Sequence, residues 1–169
     1  MSTSRRTDGS PRARSRDGFT LIELVITVAI VAILSTAIVP LIQVTMQRAK
    51  EHELRTGLRQ MREAIDAYKQ AADEGRVTKR VNESGYPKSL EVLVAGVEDA
   101  KDPKKTKIYF LRRIPRDPMA LDSTLAAAET WGQRSYASPP DEPKAGDDVF
   151  DVYSLSTGIG LNAVRYREW

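Results

Sequence analysis

Hydrophobic and polar positions divide this chain into unlike stretches. Residues 1–17 are almost entirely polar, rich in Ser, Arg, Gly and Thr. They offer too little apolar surface to offset the entropy of ordering and are expected to be disordered. Residues 19–42 are apolar, with one ionisable side chain, Glu23. As a helix these 24 residues span about 36 Å, enough to cross a hydrocarbon core of about 30 Å. Pro40 removes one helical hydrogen bond and is expected to kink or loosen the helix there. Beyond it, Leu54, Leu58, Met61, Ile65, Tyr68 and Ala72 recur at spacings of 4, 3, 4, 3 and 4. That is one stripe on a helix continuing to about Ala72, with Gly75 as its stop. The other faces are charged, with i, i+4 pairs expected between Glu51 and Arg55, Arg59 and Glu63, and Arg62 and Asp66. An amphipathic stripe of this kind must pack on something, and the rest of the chain is the candidate.

From residue 76 on, the pattern breaks into short pieces. Residues 76–86 read as loop, and 87–94 as a short helix with Leu90, Leu93 and Val94 on one face and Gly96 near its end. Lys101, Lys104, Lys105 and Lys107 surround Pro103 in a solvated loop. Residues 108–111 are apolar and too short to classify by period, and the prolines at 115 and 118 form a rigid turn. Residues 125–129 suit a helix. Residues 132–138 and 148–156 read as strands, the second rich in β-branched and aromatic side chains. The proline-rich stretch 139–144 between them reads as an exposed loop. Gly158, Gly160 and Asn162 signal a turn, after which 164–169 returns as an edge strand. The fold class is therefore α+β: a long N-terminal helix packed on a small antiparallel sheet.

Charge sharpens the division. Residues 1–18 carry five arginines and two aspartates, a net of +3, which is the whole excess of the chain. The remainder holds 21 basic and 21 acidic residues. A neutral body gives no global electrostatic reason to bind nucleic acid. The leading arginines set the N-terminus on the cytoplasmic side by the positive-inside rule, with Arg48 and Lys50 as fewer competitors. Arg5-Arg6 invites a twin-arginine export reading, but the polar residues 7–10 stand where that signal wants apolar ones. There is no cysteine, which excludes a disulfide framework and a thiolate nucleophile. The one histidine, His52, lies on the charged helix and reads as solvated. No phosphate-binding glycine loop, nucleophile elbow or histidine-rich metal set is present, and Gly158-x-Gly160 lacks a following helix. An enzyme reading has no residues to rest on.

Glu23 is the costly residue. A carboxylate in such a segment costs about 2.5–3.5 kcal/mol at a bilayer centre, less near an end, and asks for a partner. Gly18 followed by Phe19-Thr20-Leu21-Ile22-Glu23 resembles the processing site of type IV pilins and type II secretion pseudopilins. The resemblance implies cleavage between Gly18 and Phe19 by a prepilin peptidase and N-methylation of Phe19. It also implies that Glu23 guides docking of one subunit on the next, and that Pro40 marks a stretch able to melt on assembly. Placed on one helix, Phe19 and Glu23 would be one turn apart and could pair before assembly. The division expected is a leader at 1–18, a membrane and filament-core helix at 19–42, an amphipathic helix at 43–75 and an α+β head at 76–169.

In the head, Tyr86-Pro87, residues 114–118 and Trp131-Gly132 resemble major, G-like pseudopilins of type II secretion. The resemblance implies a homo-oligomeric periplasmic filament joined by other pseudopilins, an inner-membrane assembly platform and a single membrane pass with the head in the periplasm. A type IV pilin forming an extracellular fibre, or a DNA-uptake pseudopilin, is the alternative. Pseudopilins of this type carry a calcium loop after a Tyr-Ser-Leu strand. Here Tyr153-Ser154-Leu155 is kept, but no acid follows until Glu168, so that ligand set does not carry over. Hard cations want six to eight oxygen ligands. The acidic stretch before the strand, with Asp147, Asp148 and Asp151, is left as the Ca²⁺ candidate.

Overall fold

The computed structural model describes residues 18–169, apart from the side chains at 36–40. Residues 1–17 of the expected leader, and the side chain of Pro40, lie outside the described residues. The chain divides into two compact units, Met1–Ile42 and Gln43–Trp169.

Helix α1 runs from Leu21 to Asp73. In the first unit its described apolar side chains, from Leu21 to Leu34, are exposed. In the second unit the expected stripe is the core: Leu54, Leu58, Met61, Ile65, Tyr68 and Ala72 are all buried, joined by Ala64 and Ala71. The helix stops where the glycine allows it. Gly75 has φ +72°, and the amides of Gly75 and Arg76 turn back to the carbonyls of Ala72 and Ala71 at 3.0 and 2.9 Å. A left-handed residue satisfying the last carbonyls carries no Cβ penalty when it is glycine.

The head closes over this stripe in short elements. Helix α2 (Leu90–Ala95) buries Leu90 and Leu93 and ends at Gly96, again at φ +72°. Strands β1 (Val97–Glu98) and β2 (Lys107–Ile108) pair antiparallel. Their loop is anchored near the end of α1, where Arg76 grips the buried Asp99 through two bonds of 2.9 and 2.7 Å. A single 3₁₀ turn, Ala127–Thr130, leads into β3 (Trp131–Arg134), which pairs antiparallel with β4 (Asp151–Ser154). Trp131, Val149, Val152 and Tyr166 complete the core from this side.

Several expectations change in detail. The sheet is two separate two-stranded pairs rather than one. Both later strands are shorter than expected because their outer residues are drawn elsewhere. The Ser135 amide bonds the Lys144 carbonyl at 2.9 Å, and Asp148 turns toward Ser84 and Ser135. The expected edge strand at 164–169 is instead one bridge, Ile159 to Arg165, followed by a 3₁₀ turn, Tyr166–Glu168. Tyr166 turns inward, where its hydroxyl donates to Glu51 of α1 at 3.0 Å. Two of the expected helix-surface pairs also give way to contacts across the fold. Glu51 is buried, and the Arg62 Nε donates to Asp151 at 2.9 Å.

Candidate processing and assembly site

Gly18, Phe19 and Thr20 precede α1 and are exposed. A Cβ on Gly18 would meet nothing within 4 Å. The fold therefore does not require glycine there.

Thr20 caps the helix. Its Oγ1 accepts the Glu23 amide at 3.3 Å, and its carbonyl accepts the Leu24 amide at 3.1 Å. Glu23 is the acid of the first turn. A carboxylate there faces the positive end of the helix dipole and the unpaired first amides. The Thr-x-x-Glu spacing at 20–23 is the sequence signature of such a start, which a reading of Glu23 for its charge alone passes over. The start also corrects one expectation. Phe19 lies outside α1, so Phe19 and Glu23 are not one helical turn apart.

Around Glu23 the helix is apolar on every face, and Phe19, Leu21, Ile22, Leu24 and Val25 are all more than half exposed. A helix apolar all round belongs in lipid or among other helices. Among the described residues no helix is long and apolar enough to cross a membrane. The described side chains of this segment run to Ser35 and resume at Leu41.

The acidic candidates in the head are not brought together. Asp147 is exposed. Asp148 accepts the Ser84 hydroxyl, the Ser135 hydroxyl at 2.7 Å and the Tyr136 amide at 2.9 Å. Burial works to raise its pKa, but these three donors outweigh it and hold the carboxyl below its ordinary value. Asp151 is engaged by Arg62 at 2.9 Å, by Arg134 at 3.5 Å and by the Val152 amide at 2.8 Å. Among the described residues no three His, Cys, Asp or Glu side chains are placed to share a metal ion. The residues present do not fit a Ca²⁺ site: a cation would have to displace two arginines from one candidate and three donors from another. His52 is exposed, as expected.

Sequence reasoning missed two carboxylates that organise the head. Glu51 is 6 % exposed and accepts the Leu161 amide at 2.8 Å, the Tyr166 hydroxyl at 3.0 Å and the Gln47 amide group at 3.2 Å. Asp117, in the double-proline turn, is 1 % exposed and accepts the Ser154 hydroxyl at 2.5 Å and the Met119 amide at 2.7 Å. It ties that turn to β4. Both are read as surface charges by type, and only the tertiary partners reveal otherwise.

A capped apolar helix continued into a small α+β head is consistent with a pilin-like fold. The pattern described as "Prokaryotic N-terminal methylation motif" matches residues 13–39. The chain is 26 % identical over 150 residues to "Type II secretion system core protein G" of Klebsiella michiganensis, covering 86 % of this chain and 98 % of that one. The protein of the same name from Vibrio cholerae is 27 % identical over 148 residues, with 85 % and 82 % covered. That from Pseudomonas aeruginosa is 28 % identical over 147 residues, with 84 % of each covered. No solved structure matches. By these likenesses the chain is similar to type II secretion pseudopilins of the G kind.

Proposed function

We propose that this chain is a structural subunit of a periplasmic pseudopilus that helps drive protein export through a type II secretion system. The observation that carries the reading is the open Gly18–Phe19 bond directly before a helix that is apolar on all its faces. A soluble protein has no use for such a helix, and a signal to be discarded would be cut after its apolar run rather than before it. The work is mechanical rather than catalytic.

In this reading a prepilin peptidase cuts between Gly18 and Phe19, and Phe19 is N-methylated. The segment 19–42 crosses the inner membrane once, with the head in the periplasm. Subunits then leave the lipid and stack with copies of themselves and with other pseudopilins on an inner-membrane platform. Lipid tails are as apolar as leucine, so helix packing and polar contacts, rather than water exclusion, decide the register. Glu23, in the helix turn that Thr20 caps, is the contact that fixes it.

The test is the intact mass of the protein extracted from membranes of cells carrying the peptidase. The expected mass is that of the chain starting at Phe19 plus one methyl group. Deleting the gene should also block export of the system's substrates. A full-length mass with the peptidase present, together with undisturbed export in the deletion strain, would overturn the reading.

A further inference from the structure

The head meets α1 in a fixed order. Asp151 and the Trp169 backbone oxygen lie against Arg62, at 2.9 and 2.7 Å. The Trp169 ring lies against Arg55 at 4.3 Å. Leu161 and Tyr166 lie against Glu51, and the Ile159 carbonyl lies against Gln47 at 3.4 Å. The hairpin 158–166 is therefore the part of the head that reaches furthest down α1, toward Gln43, where the second unit begins. It is closed by the Gly160 amide on the Val164 carbonyl at 2.8 Å and turned by Ala163 at φ +62°.

This end is unlike the rest of the head. Ile159 is 58 % exposed and Leu161 45 %, and Val164, Val44 and Met46 are exposed with them. The charged side chains within 43–50 and 155–169 are Arg48, Lys50, Arg165, Arg167 and one acid, Glu168, all exposed. The first exposed acid on α1 past Gln43 is Glu53. Elsewhere the head mixes both signs, as the neutral total requires.

We infer that the hairpin 158–166 and the first turns of the Gln43 unit form an interfacial foot that rests on an anionic phospholipid surface. Ile159, Leu161 and Val164 enter the headgroup boundary, and Arg48, Lys50 and Arg165 meet lipid phosphates, while Arg167 packs over the Tyr153 ring at 5.3 Å. Apolar side chains bracketed by an excess of cations are the composition of segments that lie in a membrane interface. Long basic side chains bury their stems and keep their charges at the phosphates. The position supports the same occupant. Gln47, which holds the hairpin, is five residues past Ile42, about 8 Å along a helix, close to where lipid headgroups stand if 19–42 crosses the bilayer. This inference rests on that crossing. The foot would hold the waiting subunit upright and would be released when the subunit is drawn into the filament.

The chain has no cysteine, so one introduced thiol gives one label. The full chain is placed singly in nanodiscs as Ala163→Cys, Val81→Cys or Val28→Cys, each carrying a fluorophore, with nitroxide-bearing lipids as quencher. Ala163 is the tip of the hairpin; Val81 is an exposed control beyond the other end of α1. In phosphatidylglycerol-containing discs the label at 163 should be quenched several-fold more than that at 81. The excess should fall several-fold with Arg48→Gln plus Arg165→Gln, or in phosphatidylcholine alone. Equal quenching at 163 and 81, with the label at 28 quenched, overturns the foot and leaves the crossing intact. An unquenched label at 28 overturns both. Quenching at 163 that appears only when several chains share a disc also overturns it, and makes a second copy the occupant.

Discussion

Glu51 lies within α1, and among the described residues no cation contacts it; three hydrogen-bond donors hold its carboxylate instead. Burial pushes the Tyr166 hydroxyl above its ordinary value, and the neighbouring carboxylate adds to the push. Removing the acceptor leaves the Leu161 amide and the Tyr166 hydroxyl without it, at about 1–3 kcal/mol for a buried group. Glu51→Ala should therefore lower the melting temperature of the detergent-extracted chain by several degrees. Glu51→Gln should lose less, because its carbonyl oxygen still accepts. An unchanged melt for Glu51→Ala would remove the anchoring role. Asp148 makes a pH-dependent contribution. Its folded pKa is lowered, so the stability it supplies is present above the ordinary carboxylate pKa and is lost as pH falls through the folded value. The gap in stability between the native chain and Asp148→Asn should be widest near neutral pH and shrink on acidification. A gap that grows toward low pH would reverse the assignment.

At the scale of elements, α1 carries a glycine in its interior. Gly57 is buried, and a Cβ there would stand 3.4 Å from two carbons of the Trp131 ring, an ordinary contact. That ring is fixed by its Nε1 donating to the Pro115 carbonyl at 2.8 Å. Alanine is the better helix former by about 0.8–1 kcal/mol. Gly57→Ala should raise the melting temperature slightly, whereas Gly57→Leu should lower it by displacing Trp131; equal effects would show that the ring yields freely. Long elements with a repeating pattern are the ones legible in the sequence. The six-residue stripe on α1 and the Gly75 stop follow from helical period and glycine chemistry alone, and both stand in the structure. The strands at 131–134 and 151–154 are legible in kind but not in length, because Asp148 and Ser135 are captured by groups outside the strand pair. The inward turn of Tyr166 is not legible at all, since its reason is Glu51, more than a hundred residues earlier. In the candidate site, the Gly18–Phe19–Glu23 motif is local and can be read directly, as could the Thr20 cap. The acidic stretch misleads because composition does not record that Arg62 and Arg134 already hold Asp151.

At the scale of the whole molecule, the question is what one acid does at the head of an apolar helix. Glu23 is exposed and its backbone amide is capped by Thr20, so among the described residues its carboxylate is open to another molecule. Cleavage after Gly18 would create an amine at Phe19, two residues outside α1. A free amine and a carboxylate are both charged in water near neutral pH. In an apolar bundle each loses hydration, and pairing offsets that loss rather than adding a surplus. In the proposed assembly, with Phe19 outside α1, the partner of Glu23 is the amine of a neighbouring subunit. Such a contact would form at only one axial stagger and would set the register of the proposed filament. Glu23→Ala should therefore insert in the membrane and lose its leader normally, yet give far fewer filaments at matched membrane levels. Glu23→Gln should fall between, keeping a hydrogen bond without the charge. Normal filament yield from Glu23→Ala would remove the docking role. Loss of insertion or of cleavage would place the defect before assembly and assign Glu23 to an earlier step.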